Sequence, residues 1–307
     1  MAARGRFAYD PCSGQTLSLA AVRASDGVVR LSDAALAQAE PVHPAELERE
    51  WPVSVCWSPI VTCNLQCPHC LDDKQVQAQG SEQRRQVARA LAAADIMGVD
   101  VSGGEPLLLR DLYALLDILR EGGLAVSVTT NGWRLAASAG ELARHVDAVR
   151  VSLDGADART HDRWRGAGSF ERAVAGIDAA ARAEIPVQVQ MVLMRTTAGS
   201  LEGLVSLAAD HGARGVSVMQ MLPIGEGEAI AAEQALSDGE AERLVSVVTQ
   251  SAPVPVRLRL RDSAENFTVV RADGRVWRNG SGAARIDRQR PLKDPRDLMV
   301  AGEDGSA

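Results

Sequence analysis

The amino-acid sequence predicts an α/β protein in which six strand–helix units build one parallel sheet. Two observations support this prediction. Short apolar runs alternate along the chain with longer stretches whose apolar residues recur at helical spacing. The pairs also keep the same order, strand and then helix, which is typical of parallel strands joined by right-handed crossovers. Six units are too few to close an eight-stranded barrel.

The helical spacing is clear at Leu112, Leu115, Leu116 and Leu119, which fall at positions i, i+3, i+4 and i+7 and so form one apolar stripe. The other strand–helix units follow from the same two patterns. The predicted strands and helices alternate over 52–57, 81–94, 95–102, 112–119, 124–129, 135–144, 148–153, 170–183, 187–193, 201–208, 215–221 and 238–250. We therefore expect a core domain over 51–250.

The fifty residues before this core have a different character, and they are expected to form a β-rich N-terminal extension over 1–50. Period-two alternation and turn residues predict a hairpin, and Ser32-Asp33 could cap a short helix. The elements predicted here are strands over 6–9, 16–19 and 28–31 and a helix over 34–39. Two prolines, Pro41 and Pro44, mark the boundary with the core.

Composition excludes several classes of protein. The 307 residues carry a net charge of −7 with 46% hydrophobic residues, which is ordinary for a globular protein and argues against non-specific binding to nucleic acid. No apolar run approaches the length of a membrane span, and no signal peptide precedes Phe7. Clustered cysteines in odd number suit a reducing compartment. We expect a cytoplasmic protein without membrane or nucleic-acid partners.

The most informative stretch follows the first predicted strand. Three of the five cysteines, Cys63, Cys67 and Cys70, lie within eight residues. Thiolates are the usual ligands of iron–sulfur clusters, and this C-x3-C-x2-C spacing lets one loop hold three corners of a cubane. The fourth iron of a [4Fe–4S] cluster would then stay open to a small molecule.

Three other interpretations of these cysteines remain open. Cys67 and Cys70 form a C-x-x-C pair of the thiol–disulfide oxidoreductase type, although that chemistry needs neither Cys63 nor so long a chain. A zinc site needs four ligands, and His69 lies too close between two cysteines to complete a tetrahedron easily. Plain buried thiols would not explain the clustering.

The cysteine spacing resembles that of the radical S-adenosylmethionine (radical SAM) superfamily. The resemblance implies that Cys63, Cys67 and Cys70 hold a [4Fe–4S] cluster whose open iron chelates the amino and carboxylate groups of SAM. Reduction would cleave SAM to methionine and a 5′-deoxyadenosyl radical, which abstracts hydrogen from a small-molecule or peptide substrate. It also implies a partial (β/α)6 TIM-type barrel over 51–250 and an electron donor such as flavodoxin or ferredoxin.

Polar residues at the carboxyl ends of the predicted strands extend this resemblance, since ligands of parallel sheets bind there. Gly103, Gly104 and Glu105 match the family's GGEP segment, which contacts the amino group of SAM. Asn131 lies at the position of another SAM contact. An ordinary glycine turn and an Asx turn are the structural alternatives for these residues.

The fourth strand ends at Ser152 and Asp154, where the family again contacts SAM, and Ser152 is the favoured direct ligand. Helix capping is the alternative for Asp154. Arg165 lies in a stretch similar to the family's H-D-x-x-R-G and could pair with a carboxylate or form a surface salt bridge. His69 occupies a position near the adenine that is often aromatic in the family.

The C-terminal region, 251–307, is expected to be a small cap. A hairpin on the Asp273-Gly274 turn resembles the opening of a SPASM or twitch domain. No cysteine follows Cys70, so one cluster is expected, and this favours redox-neutral outcomes such as epimerisation, elimination, rearrangement or decarboxylation in natural-product biosynthesis. Net oxidation by a maturase of ribosomal peptides is the alternative. Residues 257–297 carry eleven Arg or Lys and six Asp or Glu, so this segment is positively charged. The basic residues form a solvated face or attract an anion.

Overall fold

The computed structural model describes residues 2–4, 7–19, 27–28, 39–42, 47, 49–71, 74–261, 267–279 and 286–299. Over these residues the chain forms two sheets. The smaller sheet has the order β4–β1–β2–β3–β5 and comes from the N-terminal extension. Its strands are β1 (Ala2–Arg4), β2 (Phe7–Asp10), β3 (Gln15–Ser18), β4 (Gly27–Val28) and β5 (Glu40–Val42).

The larger sheet has ten strands in the order β12–β11–β10–β9–β8–β7–β6–β13–β14–β15. The run from β6 to β12 is parallel throughout. The strands are β6 (Ser54–Trp57), β7 (Gly98–Val101), β8 (Ala125–Thr130), β9 (Ala148–Ser152), β10 (Val187–Leu193), β11 (Gly215–Gln220), β12 (Val256–Arg259), β13 (Thr268–Val270), β14 (Arg275–Asn279) and β15 (Ile286–Pro291).

Helices connect the parallel strands and cover their outer face. The described helices are α1 (Ser81–Ala92), α2 (Leu112–Glu121), α3 (Leu135–Leu142), α4 (Ala158–Arg165), α5 (Ser169–Arg182), α6 (Leu201–Asp210), α7 (Ala231–Gln234) and α8 (Asp238–Thr249). The architecture is therefore an α/β partial barrel, and the predicted fold class is confirmed. None of the helices in the described ranges has the length and apolar character needed to cross a bilayer.

Successive side chains of a strand point to opposite faces of the sheet, and here the outer face is apolar while the inner face is polar. Val99 and Val101 belong to the apolar core between sheet and helices, while Asp100 between them accepts hydrogen bonds from Ser127 Oγ at 2.7 Å and Thr129 Oγ1 at 2.8 Å on the neighbouring strand. The interior of the barrel is therefore built for polar contacts.

The structure contains elements that the sequence did not predict, among them β1, β5, β15 and α7. A seventh parallel strand, β12, extends the sheet beyond β11, and β13 pairs in parallel with β6 so that the predicted C-terminal hairpin continues the same sheet. Helix α4 was not predicted. The predicted helix over 34–39 and most of the predicted strand over 28–31 lie outside the described residues.

The N-terminal hairpin packs against the amino ends of the barrel strands. Tyr9 fills the space over Gly98, the first residue of β7. Arg150 in β9 donates hydrogen bonds to the carbonyl oxygens of Pro11 (2.8 Å) and Cys12 (3.3 Å) and lies 3.3 Å from the Asp100 carboxylate. The opposite, carboxyl edge of the strands is left for the predicted site.

Candidate functional site

The cysteine loop follows β6 directly at the carboxyl edge of the sheet. Its three thiols, Cys63, Cys67 and Cys70, are all free and partly accessible. The Cys70 amide donates to the Cys67 carbonyl oxygen (3.1 Å), and the Leu65 amide lies 3.4 Å from Cys63 Sγ as a donor. The thiols are close enough to influence one another electrostatically. The loop therefore presents three soft ligands from one turn of chain.

This donor set fits an iron–sulfur cluster. Among the described residues, no three His, Cys, Asp or Glu side chains are arranged around a single point as the ligands of one metal ion are. A cubane does not require that arrangement, because each cysteine binds a different iron. Amide groups directed at a sulfur, as found at Cys63, are also typical of such sites.

The thiol–disulfide alternative has a specific requirement that Cys67 does not meet. An exchange-active C-x-x-C motif carries a thiol whose pKa is depressed. Burial raises the pKa of Cys67 to about 11, and the nearby Arg165 only partly offsets that effect. In this geometry Cys67 is not an activated nucleophile.

Gly103 and Gly104 hold the start of the cysteine loop in place. The Gly104 amide donates to the Ile60 carbonyl oxygen (2.7 Å), and the next amide, that of Glu105, donates to Thr62 (2.9 Å). Gly103 has a φ of 116°, which only glycine adopts without strain. A Cβ at Gly104 would collide with backbone carbonyl oxygens of the cysteine loop. Both glycines are thus needed for two backbones to lie against each other.

We expect Gly104→Ala to destabilise the protein by about 1–3 kcal/mol, because the added methyl group meets backbone atoms that cannot rotate away. Urea unfolding measures the change. Gly140→Ala is the matched control, since Gly140 lies within α3 with open space around its Cα. It should stabilise the helix by up to about 1 kcal/mol. Equal effects of the two substitutions would show that the close approach at Gly104 is unimportant.

Glu105 is fully buried, and its carboxylate joins two strand ends. Oε1 accepts hydrogen bonds from the Leu107 amide (3.1 Å) and Thr130 Oγ1 (2.7 Å), and Oε2 accepts from the Asn131 amide (2.9 Å). Burial raises the pKa of Glu105, although these hydrogen bonds favour its ionised form. The enclosed carboxylate holds the glycine turn and Asn131 in place, and contact between this segment and SAM stays a prediction.

Asn131 faces the cysteine loop. Its Nδ2 donates to Asn64 Oδ1 (3.0 Å) and lies 3.7 Å from Cys63 Sγ, while its Oδ1 accepts from the Trp133 amide (3.0 Å). The predicted Asx turn is present, and the amide also reaches a predicted cluster ligand. The structure thus links Asn131 to Cys63, which the sequence did not predict.

Asp154 is the centre of a buried polar network beneath the cysteine loop. Its Oδ2 accepts from Arg165 Nε (2.5 Å) and lies 3.2 Å from His69 Nε2, and its Oδ1 accepts from the Val192 amide (2.9 Å). Burial opposes ionisation, but Arg165 and His69 together hold the pKa of Asp154 well below its usual range. Asp154 has no exposed surface and its carboxylate pairs with His69, so the structure shows it as a residue that positions His69, while its direct contact with SAM stays a prediction.

The same network includes His161, to which the sequence assigned no role. Its Nδ1 accepts a hydrogen bond from the Asp154 amide (3.0 Å), and burial lowers its pKa to about 4, so the ring is neutral. Arg165 is held inside this network instead of forming a surface salt bridge. The H-D-x-x-R-G stretch was a usable signal, but only the fold reveals that its first and fifth residues meet Asp154.

Ser152 is a predicted contact whose polar group is both partly exposed and free of protein partners in the described ranges. It ends β9 at the carboxyl edge and is partly exposed, and its hydroxyl makes no hydrogen bond within the described ranges. It therefore differs from Glu105 and Asp154, whose oxygens are already engaged.

Comparison with known proteins agrees with this geometry. A family model described as the radical SAM superfamily matches residues 57–208. The chain is 31% identical over 183 residues to mycofactocin maturase MftC of Mycolicibacterium smegmatis, covering 57% of this chain and 46% of MftC. It is also 31% identical over 184 residues to the AdoMet-dependent heme synthase of Methanosarcina barkeri, covering 58% and 53%. The match thus spans about half the length of these relatives.

Solved structures show a similar fold. Streptococcus suis SuiB bound to its precursor peptide SuiA superposes with a TM-score of 0.68, over 90% of this chain and 72% of SuiB. The two sequences are 16% identical. At that identity the likeness supports the fold and not the substrate.

Proposed function

The chain belongs to the radical SAM superfamily, a family of enzymes, and from this premise we propose that it abstracts hydrogen from a peptide or small-molecule substrate of a specialised biosynthetic route. Its cofactors are a [4Fe–4S] cluster and S-adenosylmethionine. When bound and reduced, the cluster supplies the electron that cleaves SAM to methionine and a 5′-deoxyadenosyl radical.

The proposal rests on one observation: residues that follow three neighbouring strands make hydrogen bonds or an ion pair with the cysteine loop. The glycine turn after β7 supports its start, Asn131 after β8 reaches Cys63, and Asp154 after β9 holds His69 between the second and third cysteines. Three consecutive strands thus fix one thiol-bearing loop at the edge where ligands of parallel sheets bind.

We assign roles accordingly. The three cysteines hold the cluster, and Ser152 offers its hydroxyl to SAM at the end of β9. The backbone at Gly103 and Gly104 approaches the ligand closely because neither residue has a side chain. Glu105, Asn131, Asp154 and Arg165 act by positioning the loop, and their hydrogen bonds within the site support this role. His69 is proposed to lie near the adenine of SAM. Its ring nitrogen Nδ1 is buried and has no partner among the described residues.

The net reaction is proposed to be redox-neutral, because residues 71–307 contain no cysteine that could hold a second, electron-accepting cluster. Net oxidation with an external acceptor is the second candidate. A peptide substrate has support from the relative MftC, which is a maturase. Flavodoxin or ferredoxin remains the proposed electron donor.

The test is anaerobic reconstitution with iron and sulfide, followed by addition of dithionite and SAM. We expect an iron-to-chain ratio near four and formation of 5′-deoxyadenosine, measured by liquid chromatography. A parallel assay measures disulfide exchange by the metal-free chain. Failure to take up iron together with disulfide exchange through Cys67 and Cys70 would refute the proposal in favour of an oxidoreductase.

A further inference from the structure

A pocket lies beside the cysteine loop, on the far arc of the barrel from the residues proposed to bind SAM. It has a volume of about 110 Å³, far more than one water molecule needs. Its walls are mainly apolar and come from β11, β12, the following loops and the C-terminal hairpin. The side chains that line it include Leu71, Met219, Leu222, Arg259, Phe267 and Trp277.

The pocket borders the chemistry of the site directly. Leu71, which lines it, is the residue after Cys70. The loop carrying Leu222 is tied to the same cysteine, because the Glu226 amide donates to the Cys70 carbonyl oxygen (2.9 Å). A molecule bound here would therefore lie next to the cysteine loop.

Arg259 is the charged side chain in the pocket wall. Its guanidinium lies 5.6 Å from the centre of the Phe267 ring, and within the described chain it makes no ion pair with a carboxylate. The other polar wall residue, Gln220, is already engaged: its Nε2 donates to Leu236 O and Asp238 Oδ1, and its Oε1 accepts from the Arg261 amide. Arg259 is therefore the charged wall group available to a ligand, and the Trp277 Nε1–H also has no hydrogen-bond partner within the described chain.

The barrel interior around Arg259 carries an excess of positive charge. Arg150 is paired with Asp100 at 3.3 Å, but Arg257 donates to the Ser13 carbonyl oxygen, a neutral group. Burial and then repulsion by Arg150 and Arg257 lower the pKa of Arg259 to about 10, so it is still charged at neutral pH. A ligand anion would relieve this repulsion, since a buried charge is stabilised by an opposite charge nearby.

We propose that this pocket binds the substrate through an apolar group and a carboxylate, with the carboxylate paired to the Arg259 guanidinium and the apolar group between Met219, Phe267 and Trp277. The planar fork of an arginine matches a carboxylate with two parallel hydrogen bonds. A phosphate carries more charge and would need more donors than Arg259 and the Trp277 Nε1–H, since the rest of the described wall is mainly apolar or already hydrogen-bonded. This substrate class rests on the proposed function, whose site it borders.

The test measures binding of 4-phenylbutyrate, 4-phenylbutyramide and inorganic phosphate to the reconstituted protein by isothermal titration calorimetry, without reductant. We expect the carboxylate to bind about 10-fold more tightly than the amide, as a charge-assisted hydrogen bond provides. Arg259→Gln should abolish that preference, and Arg259→Lys should keep part of it. Arg261→Gln is the matched control, because Arg261 pairs with Asp238 at 3.3 Å and does not line the pocket.

Equal binding of carboxylate and amide, a preference that survives in Arg259→Gln, absence of binding by both phenyl probes, or tighter binding of phosphate would each overturn the proposal. Thermal unfolding of each variant checks that it is folded. Because no reductant is present, this result does not depend on radical formation. A failed 5′-deoxyadenosine assay with intact carboxylate preference would refute the proposed function and leave the pocket standing.

Discussion

Cys63→Ala is expected to eliminate both the cluster and 5′-deoxyadenosine formation. The change leaves two thiolates for a cluster that takes three from this loop, and it removes the sulfur faced by the Leu65 amide and Asn131. Substitution of a residue that only orients a metal ligand lowers metal affinity or activity by up to about 100-fold. Loss of a ligand itself should therefore lower turnover by more than about 100-fold. Iron content and 5′-deoxyadenosine yield after reconstitution measure the two effects.

The matched control is Cys12→Ala. Cys12 is a buried thiol in the N-terminal hairpin, and Arg150 contacts only its backbone oxygen, which alanine retains. This variant should keep its iron and its activity. If Cys63→Ala also kept both, Cys63 would not be a ligand, and a dithiol of Cys67 and Cys70 would become the better interpretation.

Most of the barrel could be predicted from the sequence because its strands are buried on both faces. All four residues of β7 are buried, so its short apolar run stands out from the helices that flank it. The strand β12 gave no such signal, since its Arg257 and Arg259 resemble a solvated face. Both are instead half-buried in the barrel, and Arg257 donates to the Ser13 carbonyl oxygen of a hairpin 244 positions away in the chain.

The cysteines could be proposed as cluster ligands from the sequence because their spacing is local, but the hydrogen-bond partners of the two carboxylates could not be predicted. Glu105 and Asp154 lie at the predicted strand ends, and a sequence cannot tell a carboxylate that faces a ligand from one enclosed by its neighbours. The partners of Asp154 lie at positions 69, 165 and 192. Only the folded chain brings these together.

Asp154→Asn should destabilise the protein by about 3–5 kcal/mol, the usual cost of leaving a buried charge without its partner. Asparagine has nearly the same shape, but it offers one carbonyl oxygen where Arg165, His69 and the Val192 amide now share two oxygens. Its NH2 group would face a donor. Urea unfolding followed by circular dichroism measures the loss, and Glu82→Gln is the control, because its pairs with Arg85 and Arg89 are exposed and worth less than about 1 kcal/mol.

The charge of Asp154 also predicts how the difference in unfolding free energy between the native protein and Asp154→Asn varies with pH. The folded-state pKa of Asp154 lies below that of an unfolded aspartate, about 3.9. A depressed pKa stabilises the fold fully above the unfolded value and progressively less as the pH falls towards the folded value. The stability gap should therefore be constant between about pH 5 and 8 and narrow below about pH 4. A gap that instead widened on acidification would mean that Asp154 is protonated in the native state, and that Arg165 and His69 are held beneath the cysteine loop by something other than its charge.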